Sequence, residues 1–104
     1  MNIKNMKNQK LSSVIESPKK PPLFCVIFLN DDYTPMDFVE NLLIQEFNMH
    51  PEIANFKTWR IHALGWAYFG SFSRDVAEAK VTRVRHLAQA EGYPFSCNIQ
   101  PINL

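Results

Sequence analysis

The sequence has little of several features that mark common classes of protein. It contains two cysteines and three glycines in 104 residues, and it has no run of 18 consecutive apolar residues. A helix needs such a run to span a membrane, and the two cysteines do not have the spacing of metal ligands. Glycine-rich phosphate loops, HExxH metal motifs, serine nucleophile elbows and internal repeats are also missing. These absences argue against a membrane-spanning protein, a repeat protein and the common nucleotide-binding or hydrolytic enzymes.

Basic residues are not in large excess, which argues against nucleic acid as a partner. The formal net charge is +1, and 46% of the residues are hydrophobic, as in a globular domain. Residues 1–22 carry five lysines and one glutamate, whereas residues 23–104 carry six basic and nine acidic side chains. Nucleic acid binds basic faces, and this body is slightly acidic. We predict a disordered, flexible basic arm over 1–22, which an acidic partner could also attract, and one folded domain over 23–104.

The N-terminal segment also lacks the apolar stretch of a secretory signal peptide. Its longest apolar run is the pair Val14 and Ile15. Without an export signal, Cys25 and Cys97 are expected to be free thiols in a reducing compartment. We therefore predict a cytoplasmic protein.

The first part of the domain predicts a buried strand followed by a helix. The run LFCVIFL at 23–29 is apolar and rich in β-formers, and we interpret it as a strand covered on both faces or nearly so. Thr34 is predicted to be the N-cap of the helix, with Pro35 at its first position and Asp37 completing a capping box. The apolar residues that follow at helical spacing are Val39, Leu42, Leu43 and Phe47.

Two further helices and two further strands are predicted. The patterns indicate a second helix up to Gly65, an aromatic strand over 66–72, a third helix from Ser73 to Gly92, and a last strand over 94–99. The apolar positions that define the second helix are Ile53, Phe56, Ile61 and Leu64. Those of the third helix are Ala77, Val81, Val84 and Ala88. The order β-α-α-β-α-β predicts an α+β fold, with a small three-stranded antiparallel sheet and three helices packed on one of its faces.

An acidic turn between the first strand and the first helix is a candidate site. Asn30, Asp31 and Asp32 could bond the local backbone, as such residues often do in turns. They could instead receive a metal ion or an ammonium group, although a helix N-terminus favours anions. His62 could accept a hydrogen bond from a cation, or it could simply pack or cap its helix. Met36 could line a site or belong to the core. The residues alone leave these alternatives open.

Three segments form an unusual combination of motifs in one short chain. They are LNDDYTPMDFV at 29–39, IHALGWAYFG at 61–70 and SRDVAEAKV at 73–81. Together they resemble the ClpS family, the adaptors of the Clp ATP-dependent protease. The similarity runs from about Pro22 to Asn98 without an obvious gap.

The resemblance implies a binding protein rather than an enzyme, with no catalytic residues, cofactor or metal. Members of the family bind the free N-terminal residue of proteins marked for degradation, usually Leu, Phe, Tyr or Trp. They deliver these substrates to a hexameric Clp unfoldase of the ClpA or ClpC type, docking on its N-terminal domain. By the same resemblance, the arm before the first strand takes part in delivery.

The resemblance also implies roles for particular residues. Those expected around the substrate's α-amino group are Asn30, Asp31 and His62. Those expected at the pocket entrance and along the substrate backbone are Asp32 and Thr34. Those expected to shape the apolar pocket are Met36, Val39, Thr58, Ile61 and Phe95. Those expected to dock the unfoldase are Asp75 and Lys80.

Two pocket positions depart from the common pattern of the family. Thr58 stands where many members have Met, and Phe95 stands where the last strand usually supplies Leu. The first change removes apolar volume and the second adds it, so the preference among first residues is left open. The strand at 66–69 is also unusually aromatic, which indicates either extra core or an exposed patch for a partner.

Two other functions are compatible with the same residues. Asp31, Asp32 and His62 could form a metal site for hydrolysis. The chain could also be an interaction domain that docks on a Clp unfoldase or another partner without recognising N-terminal residues, because fold alone does not specify function.

Overall fold

The computed structural model describes residues 21–102, so the predicted arm over 1–22 lies almost wholly outside the described residues. The elements in chain order are β1 (Phe24–Leu29), α1 (Met36–Phe47), α2 (Pro51–Leu64), β2 (Trp66–Phe72), α3 (Arg74–Glu91) and β3 (Ser96–Pro101). The strands form one antiparallel sheet in the order β2-β1-β3. The predicted α+β fold is confirmed. No helix in this part of the chain is long and apolar enough to cross a membrane.

The central strand β1 carries the core on one of its faces. Val26 and Phe28 are fully buried there, because successive side chains of a strand alternate between faces and the helices cover this one. Ile27 lies on the opposite face beside its cross-strand partner Tyr68, and it is half-buried. Cys25, on the same face as Ile27, is 6% exposed, so the burial of the strand agrees with the prediction of cover on both faces or nearly so.

Aromatic rings packed around Phe28 join the sheet to the helices. The ring of Phe28 lies edge-to-face with those of Phe69 and Phe95, both at a centroid distance of 4.8 Å, and with that of Phe47 at 5.7 Å. Such pairs stabilise a core by about 0.5–1.5 kcal/mol beyond the burial of their area. This cluster fixes the end of α1, the strand β2 and the segment before β3 relative to β1.

The start of α1 differs from the prediction. The helix begins at Met36, and Pro35 occupies the N-cap position with no side-chain cap. Thr34 therefore does not cap the helix, and its capping box with Asp37 does not form. The hydroxyl of Thr34 donates to Asp31 Oδ2 at 2.8 Å in the preceding turn. The prediction was wrong because the helix begins one residue later than expected, so that Pro35, whose side chain cannot accept a hydrogen bond, occupies the N-cap position.

The second helix has the predicted end but not the predicted buried face. Gly65 terminates it with φ 93°, a left-handed conformation that glycine adopts without strain. Ile53, Phe56 and Leu64 are exposed, at 51%, 60% and 56%. The buried positions are Ala54, Thr58 and Ile61. The helix therefore packs mainly through small side chains, and most of its large apolar residues face solvent.

The third helix follows the prediction closely. Ser73 caps it by accepting a hydrogen bond from the backbone N–H of Val76 at 3.4 Å, and Gly92 ends it with φ 77°. Its buried residues are Ala77, Val81, Val84 and Ala88, as the spacing predicts. This helix packs mainly on β1 and β3.

The aromatic strand β2 divides its residues between the two expected environments. Ala67 and Phe69 are buried in the core, whereas Trp66 and Tyr68 are 40% and 57% exposed. The rings of Trp66 and Tyr68 stack with centroids 5.6 Å apart. Extra core and an exposed aromatic surface are both present, because alternate residues point to opposite faces.

Both cysteines are free and buried. In the β1–β3 pair, Cys25 lies opposite Gln100 and Cys97 lies opposite Phe28, so the two are three residues apart along the strands. That offset is about 10 Å, beyond the Cα separation that a disulfide can bridge. Burial raises the pKa of Cys97, and the nearby Arg85 offsets the rise only in part.

Candidate functional site

Nearly all the residues predicted to bind a ligand line one small cavity. Its lining residues are Asn30, Asp31, Thr34, Met36, Val39, Thr58, Ile61, His62 and Phe95. Asp32, predicted at the entrance, is exposed and is not among them. Polar groups able to accept a hydrogen bond therefore lie beside apolar side chains in a single cavity.

Four parts of the fold meet at this cavity. They are the turn after β1, the first turns of α1, the last two turns of α2 and the residue preceding β3. The turn is tied to the end of α2 by a hydrogen bond from the backbone N–H of Asn30 to the carbonyl of Gly65, at 2.9 Å. This bond holds Asn30 close to His62, which stands in the last turn of α2.

Asp31 organises the turn through both oxygens of its carboxylate. Its Oδ1 accepts from the backbone N–H groups of Tyr33 and Thr34, at 2.8 and 2.7 Å, and its Oδ2 accepts from the Thr34 hydroxyl at 2.8 Å. Burial acts to raise the pKa of Asp31, but these hydrogen bonds outweigh it and hold the pKa below its usual value. The turn interpretation is therefore correct for Asp31, and the same contacts keep a negative charge at the cavity.

His62 is exposed at one side of the cavity, and Trp59 lies against it. The two rings are edge-to-face, with centroids 5.9 Å apart, one helical turn from each other. The negative end of the helix dipole also lies at this last turn of α2. Together with Asp31, it makes this side of the cavity suited to a cation.

The apolar part of the cavity is almost filled. Phe95 is 8% exposed, Val39 is 5% exposed and Ile61 is 2% exposed, and Met36 is half-buried nearer the surface. Thr58 is 3% exposed, and its hydroxyl donates to the carbonyl of Ala54 at 2.8 Å. The volume left for a water-sized sphere is about 10 Å³. That is roughly the room that one water molecule needs.

Larger grooves in the described part of the chain lie elsewhere. Two of them run between α3 and β3, with volumes of about 540 and 230 Å³, and Arg85 lines both. The larger is bordered by the ion pair of Arg74 and Glu78, whose side chains are more than half exposed. Both grooves carry a cationic side chain, Arg85, and the larger also carries Arg74, whereas the smaller cavity carries the carboxylate of Asp31. The smaller cavity is therefore the better candidate for binding a cation.

Asp75 and Lys80, predicted to dock an unfoldase, lie on α3 away from the cavity. Asp75 is exposed in the first turn of the helix. Lys80 is half-buried: its Nζ donates to the carbonyl of Glu46 at 2.9 Å and lies 5.3 and 5.6 Å from the ring centroids of Phe47 and Phe72. Lys80 therefore has a structural role in holding the end of α1.

The described residues do not provide the set of ligands that the alternative of a metal site requires. Within residues 21–102, no three His, Cys, Asp or Glu side chains are grouped so that they could hold a metal ion. Asp31 is already engaged in its own turn, and Asp32 is exposed outside the cavity lining. With His62 they do not form a hydrolytic centre.

Sequence reasoning missed two residues that shape the site. Trp59 packs against His62, and the carbonyl of Gly65 holds the backbone of Asn30. The first could have been found from its position three residues before His62 on the same helix. The second depends on how α2 meets the turn after β1, which no local pattern reveals.

Comparisons with known proteins identify the family. The sequence model of "ATP-dependent Clp protease adaptor protein ClpS" matches residues 19–98. The chain belongs to the ClpS family. An ATP-dependent Clp protease adapter protein ClpS from Alkalilimnicola ehrlichii is 45% identical over 82 residues, which cover 79% of this chain and 77% of that protein. A second, from Desulforapulum autotrophicum, is 37% identical over 100 residues, which cover 96% of each chain.

A solved ClpS structure has the same fold. ClpS2 of Agrobacterium tumefaciens, solved bound to L-phenylalaninamide, aligns with a TM-score of 0.76 and 32% sequence identity. The alignment covers 80% of this chain and all of that one. The ClpS match over 19–98 includes every residue that lines the cavity, as well as Asp75 and Lys80. Residues 1–18 of the predicted arm lie outside it.

Proposed function

We propose that this ClpS adaptor binds the free N-terminal residue of degradation substrates, a bulky apolar residue such as Leu, Phe, Tyr or Trp, and delivers them to a Clp unfoldase. The observation that carries the proposal is the joining of hydrogen-bond acceptors and an apolar floor in one cavity. The free amine of L-phenylalaninamide, with which the related ClpS2 was solved, also supports it.

The polar side of the cavity is proposed to hold the substrate's α-amino group. That group has a reference pKa of about 7.7–8.0, so it is mostly a cation with three N–H donors at neutral pH. Asn30, Asp31 and His62 provide acceptors, and the charge of Asp31 adds attraction. Asp32 and Thr34 are proposed to meet the substrate backbone at the entrance.

The apolar side is proposed to hold the first side chain. Met36, Val39, Thr58, Ile61 and Phe95 form its walls. Burying a Leu or Phe side chain contributes roughly 1.5–3 kcal/mol, and each hydrogen bond to a charged group contributes a similar amount. The conformational entropy that the peptide loses on binding opposes both contributions. We therefore expect a micromolar dissociation constant, which corresponds to a binding free energy of about −8 kcal/mol. A β-branched first residue such as Ile would crowd Met36 near its Cβ.

Delivery is proposed to need a surface separate from the cavity. Asp75 and Lys80 on α3 are assigned to docking on the N-terminal domain of a ClpA-type or ClpC-type hexamer. Since Lys80 is partly engaged within the fold, Asp75 is the more accessible of the two. The adaptor itself would catalyse no reaction and would act in the cytoplasm.

Fluorescence anisotropy with dye-labelled peptides tests the proposal. The peptides differ only at residue one: Leu, Ile and acetylated Leu. We expect the free Leu peptide to bind, and the other two to bind at least about tenfold more weakly. Acetylation removes the charge and leaves the acceptors of the cavity without their donors. Equal binding of free and acetylated Leu would contradict amine recognition.

Single substitutions test the assignment of the acceptors. His62→Ala and Asp31→Ala are each expected to weaken binding of the Leu peptide by about tenfold or more while the domain stays folded. His86→Ala is the matched control, because this histidine is exposed on α3 and is not among the cavity-lining residues. The assignment fails if neither His62→Ala nor Asp31→Ala changes the affinity.

The second candidate is an adaptor that docks on the Clp machinery without recognising N-terminal residues. The observation in its favour is the small free volume of the cavity, about 10 Å³. This candidate predicts that no peptide binds, whatever its first residue, while the unfoldase is still bound.

A further inference from the structure

We propose that Phe95 makes this adaptor selective for Leu over Phe, Tyr and Trp as the first residue of its substrates. This inference rests on the proposed function and specifies its substrate class. It follows from a comparison of the lining side chains that can change position with those that are fixed.

The cavity has little free volume in its present form. The space open to the centre of a water-sized sphere is about 10 Å³, which leaves little room for a bulky side chain and least for a large rigid ring. Binding therefore requires a wall to retreat. The apolar walls that could retreat are Met36, Val39, Ile61 and Phe95.

Phe95 borders the groove of about 230 Å³ between α3 and β3, but its ring is held by contacts with the core. Its ring is 8% exposed and lies edge-to-face on Phe28, which is fully buried and also contacts the rings of Phe47 and Phe69. The next residue, Ser96, pairs with Leu29 in the sheet, so the backbone is fixed as well. Displacing Phe95 would require repacking of a close-packed ring cluster, which is unfavourable.

Three other walls are also stiff. Val39 and Ile61 are buried and branched at Cβ, which restricts them to few rotamers. Thr58 is branched too, and its hydroxyl is bonded to Ala54 within α2. Met36 alone among the apolar lining residues is both half-buried and unbranched. It is the wall that can turn away and admit a ligand.

The different depths of Met36 and Phe95 determine the shape of the pocket that opens when Met36 moves. Met36 lies nearer the surface and Phe95 lies deeper, so movement of Met36 widens the upper part of the cavity and leaves its depth unchanged. A Leu side chain is short and branched at Cγ, which suits a wide and shallow pocket. The rings of Phe, Tyr and Trp are longer and rigid, so they would collide with Phe95.

Equilibrium binding of Leu, Phe and Trp peptides to the full chain tests the inference. We expect Leu to bind at least about tenfold more tightly than Phe or Trp. In Phe95→Leu, the affinity for Phe and Trp should rise about tenfold or more, while that for Leu changes by less than about threefold. Phe95→Met provides a second variant, nearly conserving volume but able to move, and it should show the same direction of change.

Phe69→Leu is the matched control. Phe69 contacts the same Phe28 ring but is not among the residues that line the cavity. It should lower stability without changing the order of preference. The inference is overturned if the unaltered chain binds Phe as tightly as Leu, or if neither Phe95 variant shifts the preference; in both cases the proposed function stands. Failure of every peptide with a free N-terminus would overturn the proposed function itself.

Discussion

The carboxylate of Asp31 accepts hydrogen bonds within its own turn and also places a negative charge at the cavity. Three local donors occupy three of its roughly four lone-pair sites, and the charge that they stabilise remains at the wall of the cavity. A turn-forming aspartate and an ammonium-binding aspartate are therefore not exclusive. The local bonds fix the orientation of the carboxylate, so a ligand would lose little entropy in ordering it.

Replacing Asp31 by Asn should give a loss of stability that depends on pH. The folded pKa of Asp31 is lowered, so its contribution is fully present above the unfolded pKa and is lost as the pH falls through the folded value. We expect Asp31→Asn to reduce the free energy of unfolding by about 1–2 kcal/mol at pH 7. The difference from the unaltered chain should be constant down to about pH 5 and shrink below about pH 4.

Urea denaturation of both proteins at pH 7, 5 and 3 measures this difference. Taking the difference cancels the titration of the other carboxylates, which both proteins share. Asp37→Asn is the matched control, since Asp37 is exposed in the first turn of α1 and no cap bond to it forms. A difference that is unchanged at pH 3 would show that the Asp31 turn does not depend on its charge.

Local sequence patterns predicted the residues of the site better than its dimensions. Asn30, Asp31 and His62 were found from their types and the family motifs, and they do line one cavity. The small free volume of the cavity was not predictable, because it depends on how Phe95 packs against the ring of Phe28 and on the positions of α1 and α2. Volume is a property of packing rather than of spacing.

At the scale of elements, caps and glycines were better guides than apolar periodicity. Gly65 and Gly92 were predicted correctly as helix ends, since a left-handed residue at that position is nearly specific to glycine. The buried face of α2 was not predicted correctly, because the large apolar residues Ile53 and Phe56 face solvent and the smaller Ala54 is buried in the core. Counting large apolar residues therefore indicated the wrong face of α2 as the buried one.

Gly65→Ala should damage both the end of α2 and the binding site. A Cβ at Gly65 has no atom within 4 Å, so the cost comes from its φ of 93° and should be about 1–2 kcal/mol in unfolding free energy. Relief of that strain would move the Gly65 carbonyl, which holds Asn30. We therefore expect weaker binding of the Leu peptide as well as a lower midpoint of unfolding.

Gly92→Ala is the matched control for this prediction. Gly92 has φ 77° and the same open space, but it ends α3, and it is not among the residues that line the cavity. It should lower stability by a similar amount and leave peptide binding unchanged. Equal effects of the two substitutions on binding would mean that general loss of stability, rather than the Asn30 contact, is responsible.

Lys80 links α3 to the end of α1 and should contribute to stability. Its bond to the carbonyl of Glu46 and its position over two rings are partly buried, so Lys80→Ala should cost about 1–2 kcal/mol. Arg83→Ala removes a neighbouring ion pair with the Glu46 side chain, but Arg83 is 64% exposed and should cost less than about 1 kcal/mol.

Urea denaturation distinguishes the two variants of α3. A larger loss for Arg83→Ala would contradict the structural role of Lys80. The result also bears on docking: a weaker complex of Lys80→Ala with an unfoldase has to be compared with Asp75→Ala. Asp75 is exposed, so its substitution should not alter the fold.

For the molecule as a whole, substrate binding and substrate delivery should depend on different parts of the chain. The residues that line the cavity all lie between Asn30 and Phe95, and the arm over 1–22 is basic while the domain is slightly acidic. We therefore predict that deleting residues 1–20 leaves the affinity for the Leu peptide unchanged and slows degradation of a Leu-tagged substrate by the Clp protease. Replacing the five lysines of the arm by Gln in the full-length chain separates the effect of charge from that of length. If the truncated chain supports degradation at the full rate, the arm has no part in delivery, and the surface around Asp75 must account for it alone.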